Sequence, residues 1–318
     1  MSSTLVDRGP PVLEEGDIVP NRAESGAAEP APARTPSIPS DTKGILHPDE
    51  QAKHRSLVRC PPSPTVDRYV EWYWSVRWDL RGRPPYRAEV LSYPSVNVTF
   101  ERSDTRTGGF VNGVCTTKFV RELGGLGETF GIRFRAGGFG AFTGLDVGSF
   151  RDCSVDIADV MPDAGELTER VLDAATDERR RAVVEEYLTG RPVADDPTYR
   201  LVLRIVEAMA TELELTRVDQ ITDRFGVPTR TLQRMFRRYV GAGPKWVLRR
   251  YRLQDGADLL AKGRTADLAA LAAELGYFDQ AHFSREFTAE VGMAPLEYAK
   301  NSLRSRNEVT AKVTPTRI

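Results

Sequence analysis

The chain of 318 residues is too long for one ordinary domain of ~100–200 residues and predicts two. It is 40% hydrophobic and 28% charged, the composition of a soluble globular protein, and 44 basic against 45 acidic residues leave a net charge of −1 that argues, taken whole, against a polyanion binder. The absence of an apolar run of ~18 residues excludes a membrane-spanning helix, the N-terminus has no export pattern, and three scattered cysteines (Cys60, Cys115, Cys153) with three histidines (His47, His54, His282) offer neither a disulfide framework nor metal-ligand spacing. The expectation is a cytoplasmic protein with no metal and no cofactor.

Residues 1–53 hold eight prolines and no aromatic residue, the first being Tyr69. Such a segment buries too little apolar area to offset its ordering entropy and reads as a disordered leader. From residue 54 to 192 the pattern is that of a β-rich domain with a helical tail. Trp72, Trp74, Val76 and Trp78 alternate with polar or outward residues, the period of a half-buried strand, and Val96, Val98 and Phe100 repeat it. Phe110–Val114, Lys118–Leu123 and Thr129–Phe134 read as further strands, and helices are expected near 138–142, 163–175 and 177–188. Gly137-Gly138-Phe139-Gly140 lacks the third glycine of a phosphate-binding fingerprint and reads as a strand-to-helix turn. The Gly, Pro and Asp cluster over 190–197 marks a domain boundary.

The last third repeats itself. Val218, Ile221, Phe225 and Gly226 match Leu268, Leu271, Leu275 and Gly276 at an offset of 50, and Leu232 through Pro244 match Phe283 through Pro295 at 51. Two copies of a helix, glycine turn, helix unit are the simplest account. In the first copy Leu232, Met235, Phe236 and Tyr239 form the apolar face of the second helix, which leaves Arg230, Gln233, Arg234 and Arg237 on the opposite one. Thr229 is placed to cap it. In the second copy Asp279 is the cap, Phe283 and Phe287 turn inward, and Gln280, Ala281, His282, Ser284 and Arg285 open the helix. A helix from 245 to 262 joins the copies, ~27 Å long at ~1.5 Å per residue, which would set the two outward helices about one turn of B-DNA apart.

Arginine bonds guanine and glutamine bonds adenine in bidentate fashion in the major groove. The stretch from Arg224 to Arg252 carries nine basic residues and no acidic one. Base reading is therefore expected of Arg230, Gln233 and Arg234, and in the second copy above all of Arg285, with Gln280, His282 and Ala281 (at most a methyl contact) beside it, while Glu286 and Glu290 would be repelled by nearby phosphates. Contact with phosphates is expected of Thr229, Arg237, Arg238, Lys245 and Ser284.

Residues 197–300 resemble the DNA-binding domain of AraC/XylS-type bacterial transcription regulators. The stretches "RTLQRMFRRYVGAGPKWVLRRYRLQDGADLLAKG" and "LAALAAELGYFDQAHFSREFTAEVGMAPLEYAK" carry the resemblance, with Ala281 where the family usually has a longer polar residue. Less specifically, "GIRFRAGGFGAF" resembles the β-rich domains attached to such regulators. The fold class implied is α+β: a β-rich N-terminal domain with a helical tail, then an all-α domain of two helix-turn-helix units on a long helix, with 301–318 a flexible tail. The function implied is sequence-specific DNA binding that regulates promoters. The β-rich domain would sense a small molecule, dimerise, or both. The partners implied are double-stranded DNA, with RNA polymerase and a small-molecule effector as further ones, and the protein would be a homodimer or a monomer. A candidate effector pocket is assigned to Trp72, Trp74, Trp78, Tyr93, Phe100 and Phe134.

The alternative is a DNA-binding module fused to a cysteine-dependent DNA-repair or other enzymatic domain. It needs an activated thiol, but Cys115 falls in an expected strand between Val114 and Thr116, Cys153 follows Asp152, which would raise its pKa, and Cys60 precedes Pro61-Pro62, so no catalytic residue is assigned. Divided at residue 196, the charge resolves into −7 for the front part and +6 for the remainder, so the near-neutral whole masks a basic end.

Overall fold

The structure, a computed structural model, describes residues 42–161, 163–191, 193–264 and 267–313, with side chains described as far as residue 308. Most of the expected leader lies outside these residues. Its last part does not: residues 42–53 are ordered, with a single helical turn, α1 (Pro48–Gln51). The apolar content ignored in that stretch is two residues, Ile45 and Leu46, and both are buried.

Strands β1 (Ser56–Cys60), β2 (Val70–Leu80), β3 (Tyr86–Val90), β4 (Asn97–Ser103), β5 (Thr107–Asn112), β6 (Phe119–Leu123), β7 (Gly125–Phe134) and β8 (Ser154–Asp156) build the N-terminal domain. Six form an antiparallel sheet in the order β1-β2-β7-β4-β5-β8, and β3 pairs with β6 separately. The alternation read in the sequence sorts this sheet into two faces. Tyr73, Val98, Phe100, Val111, Phe130, Ile132 and Phe134 point to a core closed by α3 (Ile157–Val160), α4 (Ala164–Asp173) and α5 (Asp177–Thr189) through Ile157, Leu167, Val171, Val184 and Leu188. Arg77 and Ser75 also turn that way and bond Asp177 at the start of α5. The opposite parity (Trp72, Trp74, Val76 and Trp78 on β2) lines a cavity roofed by β3 and β6. Gly137, at φ 83°, makes the sharp entry to α2 (Gly138–Thr143), as the glycine cluster predicts.

Helices α6 (Pro197–Thr211), α7 (Val218–Phe225), α8 (Thr229–Met235), α9 (Pro244–Ala261), α10 (Leu268–Glu274), α11 (Gln280–Val291) and α12 (Pro295–Val313) follow. The repeat is a structural one. α7 stops at Gly226 (φ 62°) and α10 one residue before Gly276 (φ 71°). The second helices stop at Gly241 and Gly292, also left-handed, and Pro244 and Pro295 each open the next helix, where a missing amide costs nothing. α12 is thus the counterpart of α9, and the expected flexible tail is helical as far as residue 313. Its inner face is held by Tyr298, Ala299 and Ser302, all buried, the first two against Leu46 and the second unit's core. The offset of 51 carries the bounds of α9 to 295–312, so the repeat already contained this helix.

The cap of α8 differs from expectation. Pro228 occupies the cap position, Thr229 is the first helical residue, and its hydroxyl caps nothing. Asp279 does cap α11, accepting from the amide of His282 at 2.6 Å.

Candidate nucleic-acid interface and adjoining cavity

In the first unit Leu232, Met235 and Phe236 are buried against Ile205, Ile221 and Val247. That packing fixes which side of α8 faces out. Arg230, Gln233 and Arg234 are exposed and bond to no described residue, so their polar groups stand in solvent ready for a polyanion. The last turn, Phe236–Val240, widens to a π-helical turn in which Gly241 donates to the Phe236 carbonyl at 3.0 Å. This turn rests on the β-rich domain. A Cβ on Gly241 would stand 3.0 Å from Val147, one on Gly148 would stand 3.0 Å from the Arg237 carbonyl oxygen, and Arg238 donates to Gly144 at 3.3 Å. Arg237 and Arg238 are exposed all the same, as are Lys245 and Thr229.

In the second unit Phe283 and Phe287 are fully buried. Gln280, Ala281, His282 and Arg285 are exposed, and Ser284 is half-buried. The His282 ring lies 3.4 Å from Glu286. Phe278, just before the Asp279 cap, is 93% exposed. It is a large apolar side chain beside the opening of α11, and the sequence reading passed over it.

The basic stretch is divided in two by the fold. Arg249 pairs with Glu286 and, at 3.1 Å, with Glu290. Arg250 is buried at 1% exposure and donates to the Thr116 carbonyl at 2.7 Å and to Glu290 at 3.3 Å; burial holds its pKa below the usual arginine value. Arg252 bonds the carbonyls of Gly276 and Thr216, and Arg224 pairs with Glu212. Four of the nine therefore serve the fold, and five (Arg230, Arg234, Arg237, Arg238 and Lys245) remain facing solvent. The same pairs settle the acidic residues of α11, whose carboxylates are neutralised by α9.

The cavity between the sheet and the β3–β6 pair measures about 300 Å³. Of the residues assigned to a candidate effector pocket, Trp72, Trp74, Trp78 and Tyr93 line it. Phe100 and Phe134 do not: both lie on the core face of the sheet, Phe134 edge-on to Phe139 at 5.3 Å. The strand pairing decides this, because the β2–β7–β4 register puts Val98, Phe100 and Phe134 on the side opposite Trp74. Two glycines make room for the indoles. A Cβ on Gly131 would come within 2.1 Å of the Trp74 ring and one on Gly127 within 2.2 Å of the Trp78 ring, so both indoles lie flat over β7. Their N–H groups are satisfied by Asn97 at 3.2 Å and by the Gly124 carbonyl at 3.0 Å.

Polar lining residues come from elements that the sequence reading did not connect with the cavity. Arg133, 5% exposed, stacks on Tyr93 at 3.4 Å and pairs with Glu71 at 3.0 Å. Glu101, 2% exposed, holds Arg121 at 2.6 Å. Lys43, Ile45 and Gln51 belong to the segment assigned to the leader. That segment also reaches the helical domain: Lys43 pairs with Asp255 of α9 at 2.5 Å, and the His47 ring lies 4.5 Å from Tyr298 of α12. Cys115 lies in the loop after β5, outside any strand, and burial pushes the Cys60 thiol above its usual pKa, away from a nucleophilic thiolate.

Residues 58–156 match a family described as a domain of unknown function (DUF6597), and residues 221–301 match one described as a helix-turn-helix domain. The HTH-type transcriptional activator RhaR of Yersinia pseudotuberculosis (serotype O:1b, strain IP 31758) is 36% identical over 76 residues, 24% of this chain and 26% of that protein; RhaR of Yersinia pestis (bv. Antiqua, strain Angola) gives the same figures. The match thus spans about a quarter of these relatives' length. Among solved structures, ToxT from Vibrio cholerae (P21 form) aligns at a TM-score of 0.35 and 10% identity, over 78% of this chain and 97% of that one. Residues 221–301 thus match a helix-turn-helix domain, and the fold gives this region two such units joined by α9.

Proposed function

We propose that the protein is a sequence-specific DNA-binding transcription regulator whose β-rich domain receives a small molecule and communicates with the helical domain through α9. The observation that carries the DNA-binding part is the pairing of two outward helices. α8 presents Arg230, Gln233 and Arg234, and α11 presents Gln280, Ala281, His282 and Arg285, with their apolar sides locked in separate cores. The 18 residues of α9 between them span ~27 Å, close to one turn of B-DNA. Arg237, Arg238 and Lys245 supply the phosphate contacts, and Thr229 and Ser284 border them. Phe278 adds an apolar contact suited to a thymine methyl group.

The cavity supports the small-molecule part, since it combines apolar walls with a few placed polar groups. The reading is of a binder rather than a catalyst. Selection of bound sequences from random duplexes, followed by mobility-shift titration, tests it. A motif with two half-sites about one helical turn apart is expected. Equal affinity for every duplex at a given salt concentration would defeat the reading.

A further inference from the structure

Arg55 stands immediately before β1 and lines the cavity. The β1–β2 register sets Ser56 opposite Arg77, so one residue further on Arg55 falls opposite Trp78. Its guanidinium donates twice to the neutral amide oxygen of Gln51, at 2.9 and 2.6 Å. No carboxylate pairs with it among the described residues. Burial, with Arg59 nearby, lowers its pKa to about 10, so the group stays charged at neutral pH although removal from water opposes the charge. A second surplus lines the same cavity: Glu101 is shared between Arg121 at 2.6 Å and Arg106 at 3.8 Å, one carboxylate between two cations.

Arg55 is half-buried, and a cation partly withdrawn from water without a counter-ion is a cost to the fold that a bound anion removes. The remaining wall is apolar and flat. Trp74 and Trp78 lie over Gly131 and Gly127 with their N–H groups already satisfied and both line the cavity, Trp74 half-buried and Trp78 buried with the Arg121 guanidinium 5.9 Å from its ring centroid. Aromatic faces prefer offset stacking on other aromatic rings. A volume of about 300 Å³ is at the small end for ligand sites, enough for one or two fused rings.

We propose that the cavity binds a compact planar aromatic acid, its rings on the Trp74–Trp78 platform and its carboxylate on the Arg55 guanidinium. This inference rests on the reading of the cavity as the effector site and names the class of effector it takes.

The test uses the full-length protein with four probes: 2-naphthoate, the uncharged isostere 2-naphthamide, octanoate and inorganic phosphate. Calorimetry and quenching of tryptophan fluorescence are the readouts. Saturable binding of 2-naphthoate with quenching is expected, about ten-fold or more tighter than each of the other three, since charge-assisted hydrogen bonds are the strong ones. Arg55→Gln is expected to bring 2-naphthoate down to the affinity of 2-naphthamide while leaving that of 2-naphthamide unchanged. Equal binding of the acid and its amide by the natural protein, which needs no variant, overturns the anion assignment and leaves the cavity reading standing. Octanoate binding as tightly as 2-naphthoate overturns the planar assignment. Failure of all four probes to bind overturns the cavity reading together with the inference built on it.

Discussion

Gln254, midway along α9, donates from its side-chain amide to the carbonyl oxygen of Leu91 in the β-rich domain at 2.6 Å, and both residues are fully buried. Leu91 is in turn within the second unit's core, beside Leu46 and Leu253. The helix that joins the two DNA-facing units is thus bonded directly to the backbone at the edge of the cavity, where Ser92 and Tyr93 follow. Arg250, one turn earlier, makes the equivalent bond to Thr116.

Gln254→Leu removes the donor and leaves the Leu91 carbonyl buried without its partner. A cost of ~1–3 kcal/mol is expected. Because the bond crosses between the domains, the loss should also separate the thermal unfolding of the two. Differential scanning calorimetry showing one unchanged, single transition in the variant would refute the coupling.

Arg234→Ala is expected to weaken binding to a selected site by ~1–3 kcal/mol and to relax preference at one base pair. Lys245→Ala should weaken all duplexes alike and lower the slope of log affinity against log salt by about 1. Salt titrations on a specific and a scrambled duplex separate the two roles. A specificity change in the lysine variant, or none in the arginine variant, would reverse the assignments.

Leu46 is 1% exposed and packs among the side chains of the second unit although it lies some 250 residues away in sequence. Leu46→Ala should cost ~2–5 kcal/mol, the usual range for a buried leucine. Urea titration measures it. A cost within ±0.5 kcal/mol, typical of surface substitutions, would mean that this segment does not hold the helical domain.

His47 is half-buried against Tyr298, with Ser302 3.3 Å from Nδ1, and partial burial lowers its pKa below 6.5. Glu89 and Glu50 oppose that shift and Lys118 adds to it. The unfolded chain therefore binds the proton more readily than the folded one, so stability is fully present above about pH 6.5 and declines as pH falls below it. Chemical denaturation between pH 7.5 and 5.5 should show a smaller decline for His47→Gln than for the natural protein. Identical slopes would remove His47 from the pH response.

The helical domain was largely legible because its information is local. Glycines at 226, 241, 276 and 292 end helices by adopting positive φ, prolines at 244 and 295 start them, and apolar spacing fixes which face turns in. That is enough to expose Arg230, Gln233, Arg234 and Arg285 without knowing any long-range contact. Parity along β2 likewise put Trp72, Trp74 and Trp78 on one face. Phe100 and Phe134 were misassigned because aromatic character alone does not tell the cavity face from the core face; only the pairing of β4 and β7 with β2 does. Thr229 lost its capping role to Pro228 by one residue, a shift that spacing cannot resolve.

What the sequence determined by itself was the double helix-turn-helix architecture, the outward basic faces and the strand alternation, since each follows from propensity and period within a few turns of chain. Tertiary structure alone decided where the charges are used. Arg249, Arg250 and Arg252 are basic in sequence yet held by carbonyls and carboxylates that folding brings to them, although Nε of Arg250 and of Arg252 finds no hydrogen-bond partner among the described residues. Arg55, by contrast, is left at the cavity with only the Gln51 amide oxygen among those residues. It also decided that residues 43–51 belong to the fold. Two apolar side chains are too weak a signal in a proline-rich stretch, but burial between the cavity and α12 makes them sufficient.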